Sequence, residues 1–230
     1  MKAKLTPLFD SWSPDMAYIL GFWWADGCIA ANLPGKLNYW IEFSSIDREH
    51  LEHIAEKLDV TTPLRFSSGC YRLTFGRKSL WEKIQDLGGT PAKSLSAIWH
   101  DPLDVYLRDF VRGYIDGDGS LSFDGLSRVP CLQIAGTSAF LGGLSRQVYD
   151  ATGIASSKVY QCKTKCPLIR YKGLKAKCMA AWLYTDSLLS LQRKYLLAME
   201  CIRWRPRRFG FKQRVITPQM ERLFGEVLYG

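Results

Sequence analysis

Apolar and polar residues alternate in short runs along much of this chain, and the runs come in two sets. Tyr39, Ile41 and Phe43 alternate with Asn38, Trp40, Glu42 and Ser44, and Tyr71, Leu73 and Phe75 alternate with Arg72 and Thr74. Further on, Leu132 and Ile134 flank Gln133. A period of two predicts strands with one face in a core and the other polar. The first half reads as a helix opened by Pro14 and Asp15, strands at 28–32 and 38–45, and a helix at 47–58 capped by Asp47. Strands at 63–67 and 71–76 follow, then a helix at 78–87 stopped by Gly88 and Gly89. The second half repeats the order, with strands at 120–123, 129–136, 158–163 and 168–171, a helix at 138–152 between the pairs and another from about residue 175. Helical residues after Thr217 close the chain. The expected class is α+β, with two antiparallel four-stranded sheets, each having one dry and one polar face.

The duplication extends to the segments that precede the sheets. "GFWWADGCIA" from Gly21 aligns without a gap on "GYIDGDGSLS" from Gly113, an offset of 92 residues. That offset is too long for a solenoid repeat and suits a doubled subdomain. The expected division is 1–100 for the first repeat with its linker and 101–230 for the second with a basic C-terminal extension. A calcium loop would also place acids at Asp116 and Asp118, but it needs glycine and glutamate where Leu121 and Ser127 stand. Gly21 with Ala25, and Gly113 with Gly117, form small-residue stripes that let two helices approach closely. Gly27 and Gly119 are expected to end those helices in the left-handed conformation. Asp26 and Asp118 then sit at the negative end of a helix dipole, where a carboxylate is disfavoured by about 0.3–1 kcal/mol. The same violation in both copies points to a divalent cation that offsets it.

Composition narrows the class. The chain has 230 residues, 47% apolar, enough to bury a sizeable core. Its longest apolar run, 16–25, is half of the roughly 20 residues that span a bilayer, and no leader pattern opens it, so a cytoplasmic or organellar interior is expected. Seven cysteines without a CxxC pair suit reduced thiols. Cys162, Cys166 and Cys178 are a weak zinc set, because His50, His53 and His100 lie far off in sequence. Net charge is +9, and residues 156–214 hold fifteen of the 31 Lys and Arg against two of the 22 Asp and Glu. Within that region "RWRPRRFGFKQR" puts six cations among aromatics, a composition for phosphate contact. Arg65, Arg72, Lys158, Arg170 and Lys172 are expected to project from the polar sheet faces, where such side chains can enter a DNA major groove.

"ILGFWWADG" and "VRGYIDGDG" resemble the two copies of the motif that names the LAGLIDADG homing endonucleases, and the repeat layout extends the resemblance over nearly the whole chain. The resemblance implies a duplicated αββαββα unit with pseudo-twofold symmetry, two saddle-shaped sheets straddling double-stranded DNA, and motif helices paired at the interface through Gly21, Ala25, Gly113 and Gly117. It implies that Asp26 and Asp118 bind metal, with the backbone of Gly27 and Gly119 beside them. Mg2+ is the expected ion, and Mn2+ or Ca2+ could occupy the same sites. Lys93 in "TPAKS" and Lys194 match lysines common near the family's reaction centre. Asp116 has Trp24 at its matching position, so it is given to a solvent network or local capping rather than to catalysis. The implied activity is site-specific cutting of both strands of a long asymmetric target with short 3′ overhangs, by an intron-encoded monomer. Trp40, Glu42, Ser44, Arg65, Arg72, Gln133, Lys158, Arg170 and Lys172 would contact DNA from the polar sheet faces, the Arg and Gln side chains reading bases, and Arg205, Arg207 and Arg208 would mainly contact phosphate. The alternatives are an RNA maturase, with RNA as partner, or a non-cleaving DNA-binding regulator of the same fold.

Overall fold

The computed structural model describes residues 12–31, 38–91, 104–126, 128–162, 165–206 and 215–229. They divide into two compact units, Met1–Gly117 and Asp118–Gly230. The first unit opens with α1 (Pro14–Asp26), whose start follows from proline at its first position and from Ser13, whose hydroxyl accepts the Met16 amide at 3.1 Å. Four strands follow, β1 (Gly27–Ile29), β2 (Trp40–Ser45), β3 (Arg65–Ser67) and β4 (Cys70–Gly76), paired antiparallel in the order β1-β2-β4-β3. Helices α2 (Arg48–Lys57) and α3 (Lys78–Asp86) pack against β2. The alternation in β2 and β4 is realised as expected: Ile41, Phe43, Leu73 and Phe75 are buried, while Trp40, Glu42, Ser44, Arg72 and Thr74 stay partly open. After a short 3-10 turn (Asp104–Tyr106), helix α4 (Leu107–Asp118) completes the unit up to Gly117.

The second unit runs β5 (Gly119–Asp124), β6 (Val129–Ala135), α5 (Ser138–Thr152), β7 (Tyr160–Cys162), β8 (Lys165–Lys172), α6 (Leu174–Tyr184), α7 (Gln192–Arg203) and α8 (Pro218–Tyr229). Its sheet has the order β5-β6-β8-β7, the pattern of the first sheet. Thr137 caps α5, accepting from the Phe140 amide at 3.1 Å, and Gly153, at φ 72°, ends it. Leu132, Ile134, Ile169 and Tyr171 supply the dry face, and α6 covers β6 and β8. The fold is thus mixed α+β with two antiparallel sheets.

Several expectations are corrected. The two compact units meet within α4, between Gly117 and Asp118, because the glycine face of α4 packs on α1. Gly27 is extended at φ −101° and ψ 167°, and Gly119 is absent from the positive-φ glycines, so neither motif helix ends left-handed; each runs straight into a strand. Glycine is needed at 27 because a Cβ there would collide with the indole of Trp23. Lys158 precedes β7 instead of lying in it. Helix α8 follows the basic run, where helical residues after Thr217 were expected, and α7 forms a helix separate from α6.

Candidate active site

The motif helices meet backbone to backbone within the first unit. A Cβ on Gly21 would collide with the Phe110 carbonyl, and one on Gly113 with the Tyr18 carbonyl. A Cβ on Gly117 would press on Ala25 Cβ and come 3.2 Å from Asp26 Oδ2. Small residues at these positions therefore bring the Asp26 carboxylate beside the last turn of α4. Along both helices the turns before the aspartates are buried, whereas Asp26 is partly exposed and Asp118 exposed. Each carboxylate closes a helix, and the next residue begins a strand at the edge of its sheet.

What supports the two helix ends differs. In the first unit Ser44 Oγ donates to the Asp26 carbonyl at 2.8 Å. In the second, Lys194 is 3% exposed and its ammonium donates to the Gly119 carbonyl at 2.8 Å, which seats a lysine one residue past Asp118. That bond places the Lys194 ammonium on the same Gly119 backbone that the resemblance sets beside a metal. Asp116 is corrected: it is 1% exposed and accepts from the Tyr18 hydroxyl at 2.6 Å, so it belongs to a buried network and not to solvent. Sequence alone offered no sign of that partner, 98 residues away.

On the polar face of the first sheet, Glu42 accepts from Arg72 Nη1 at 2.6 Å and from Thr74 Oγ1 at 2.9 Å. Side-chain bonding with Glu42 also raises the Arg72 pKa above its ordinary value. Arg65 lies opposite Arg72 and is exposed. In the second sheet Gln133 pairs with Arg170, which is exposed, and Lys172 Nζ lies 2.9 Å from Asp124 Oδ2. Arg205 is exposed. Lys93, Arg207 and Arg208 lie outside the described residues.

Among the described residues no group of three or more His, Cys, Asp or Glu is placed to hold a metal. Cys28, Cys70, Cys131, Cys166, Cys178 and Cys201 are free thiols, with Cys166 exposed and Cys178 buried. Carboxylates at helix ends reached by solvent fit a hard cation that takes its other oxygens from water and phosphate rather than from a protein cage.

Solved structures share this fold. The complex of I-DmoI with DNA and Ca matches with a TM-score of 0.55 at 13% identity, covering 81% of this chain and 97% of that one. I-WcaI bound to its DNA recognition sequence gives 0.55 at 16%, over 80% and 84% of the two chains. The LAGLIDADG meganuclease I-AabMI bound to uncleaved DNA gives 0.54 at 8%, over 83% and 89%. No protein-family model and no curated protein matches the sequence. The chain has the fold of the LAGLIDADG homing endonucleases.

Proposed function

We propose that this chain is a site-specific double-strand DNA endonuclease that hydrolyses phosphodiesters at a long asymmetric target and leaves short 3′ overhangs. The observation that carries the reading is the repeated helix end: a carboxylate reached by solvent, Asp26 or Asp118, closing a largely buried helix and leading directly into a strand. The similar structures add support, being complexes with DNA that include Ca and Mn in the I-DmoI cases.

Asp26 and Asp118 would each hold a divalent cation, with Mg2+ suited to carboxylate, water and phosphate oxygens. When bound, such an ion stabilises charge on the pentavalent phosphorus and lowers the pKa of an attacking water. The residues do the rest. One carboxylate serves each strand, so a single chain cuts both. Lys194 fixes the backbone next to Asp118 and places a positive charge there. Lys93 is proposed for a similar role beside the phosphate. Arg65, Arg72, Gln133 and Arg170 read base edges, with Trp40, Glu42 and Ser44 on the same faces, and Lys158, Lys172, Arg205, Arg207 and Arg208 contact phosphate. Because the halves differ in sequence, the two half-sites differ, and the chain acts as a monomer in the interior of its host cell or organelle.

Incubation with Mg2+ and a randomised duplex library, followed by sequencing of the new ends, should yield one long site with staggered 3′ ends. On that site Asp26→Asn and Asp118→Asn should each lose double-strand cleavage while duplex affinity stays within about tenfold, since a metal ligand and not a binding surface is removed. Full cleavage by either variant removes the assignment.

A further inference from the structure

Three helices of the first unit meet at a chain of buried polar side chains. Tyr18 on α1 is 0% exposed, Asp116 on α4 1% and His50 on α2 4%. The Tyr18 hydroxyl donates to Asp116 Oδ2 at 2.6 Å and lies 3.1 Å from His50 Nε2. A phenol has one proton, and here it goes to the carboxylate. His50 must therefore present Nε2–H, and the chain runs His50 to Tyr18 to Asp116. Phe22 packs edge-on against the imidazole with centroids 4.7 Å apart, and the Arg112 guanidinium lies 5.2 Å from the Tyr18 ring centre while bonded to Asp109 at 2.7 Å.

A carboxylate taken out of water costs several kcal/mol unless hydrogen bonds compensate it. The matching position in the first motif holds Trp24, which is buried without a carboxylate, so close packing alone does not require an acid there. What the acid adds is orientation. Residues two apart on an α-helix point about 200° apart. Holding Asp116 inward on Tyr18 therefore turns Asp118 outward.

We propose that Tyr18 and Asp116, oriented by His50, are positioning residues that lock the rotation of the last turn of α4 and so aim the Asp118 carboxylate. The cleavage part of this inference rests on the endonuclease reading; the mechanical part does not. Tyr18→Phe removes only the hydroxyl and keeps the packing, and its thermal midpoint reports whether it folds. In that variant backbone amides of the last turn of α4 should exchange at least about tenfold faster while those of α1 are unchanged, because the opening is local. Nitrogen-15 shifts of the wild-type imidazole should show Nε2–H. Strand-resolved cleavage should show nicked duplex accumulating, one strand being cut about 10- to 100-fold more slowly at unchanged duplex affinity, the scale expected when a reacting group is misplaced by about 1 Å. Asp116→Asn keeps an acceptor for the phenol and should restore even cutting, whereas Asp116→Leu should not. The double variant Tyr18→Phe with Asp116→Leu should be no slower than the worse single one, as in a coupled pair.

Unchanged exchange in Tyr18→Phe, or an Nδ1–H tautomer on His50, overturns the proposal. Equal slowing of both strands also overturns it, by marking a purely structural role. If the wild type cuts no duplex the endonuclease reading fails, and exchange and tautomer alone then decide the lock.

Discussion

One register step past the motif glycine, the two sheets diverge. In the first, Cys28 pairs with Glu42 and Glu42 with Thr74; in the second, Ser120 pairs with Gln133 and Gln133 with Arg170. The first sheet sets a carboxylate there, and it holds Arg72 at 2.6 Å. The second sets an amide beside an exposed arginine, and Arg170 makes no ion pair among the described residues. At this register the first sheet compensates Arg72 internally, whereas Arg170 of the second has no such carboxylate beside it. On the proposed reading, a polyanion would break or share the Glu42–Arg72 pair to use Arg72, whereas Arg170 is open to it.

The largest effects should come where the halves are alike. Gly21→Leu and Gly113→Leu each force a side chain into a backbone carbonyl and should destabilise by about 3 kcal/mol, since overpacking without room to shift lies at the top of the usual range. For a chain of this size that lowers the thermal midpoint by roughly 6–12 °C. Unchanged midpoints in both would mean that the helices do not pack through these residues.

The helix ends come next, because their supports differ. Lys194→Met should slow cleavage about 100-fold, on the scale of losing one preorganised electrostatic group. Ser44→Ala removes only a neutral hydroxyl from the Asp26 carbonyl and should change the rate less than about fivefold, the equivalent of roughly 1 kcal/mol. Similar losses in single-turnover assays would erase the distinction.

Binding should then separate the faces. Arg170→Gln should cost about 1–3 kcal/mol at the cognate site and relax preference over a few base pairs, and Arg72→Gln should cost less because Glu42 already offsets its charge. Glu42→Gln should free Arg72 and steepen log K against log salt by up to about 0.9. Replacing Arg205, Arg207 and Arg208 with Gln should flatten the slope by up to about 0.9 per lost contact and leave preference intact. If that triple variant lost preference while the sheet variants lost only uniform affinity, the roles of the two surfaces would be reversed.

The smallest contrast concerns thiols. Cys28 and Cys70 in the first unit are partly exposed, while burial pushes the Cys178 and Cys201 thiols of the second up to about 12. At pH 8 the latter pair therefore stays protonated, and mass spectrometry after brief alkylation should find Cys166, Cys28 and Cys70 labelled before Cys178 or Cys201.

The alternation of Ile41 and Phe43 with Glu42 and Ser44 was enough to place β2 and its dry face, because burial on one side enforces a period of two. The small residues at 21, 25, 113 and 117 likewise announced a close helix seam. What was not legible depends on tertiary partners. Asp116 reads as a surface acid until Tyr18 is placed beside it, and Gly27 reads as a left-handed stop until the Trp23 ring is seen to fill the space of its Cβ. The Lys194 bond to Gly119 spans 75 residues and has no local signal, and Glu42 gave no hint that it would neutralise Arg72.

The C-terminal helix gives the basic run a different physical character. Lys177 is fully buried on α6 and donates to the Trp204 carbonyl at 3.1 Å, fixing the chain where that run begins. Beyond it, Thr217 Oγ1 donates to the Gly153 carbonyl at 3.2 Å and Gln219 Nε2 to the Asp150 carbonyl at 3.0 Å, fixing the chain where the run ends. The chain is thus fixed on one unit on either side of residues 207–214. Closure entropy grows only by about 0.6 kcal/mol per doubling of length, so extra residues between two fixed points cost less than the loss of one of those points. Cutting the backbone within 207–214, with both sides retained, should weaken duplex binding more than lengthening that stretch by several glycines.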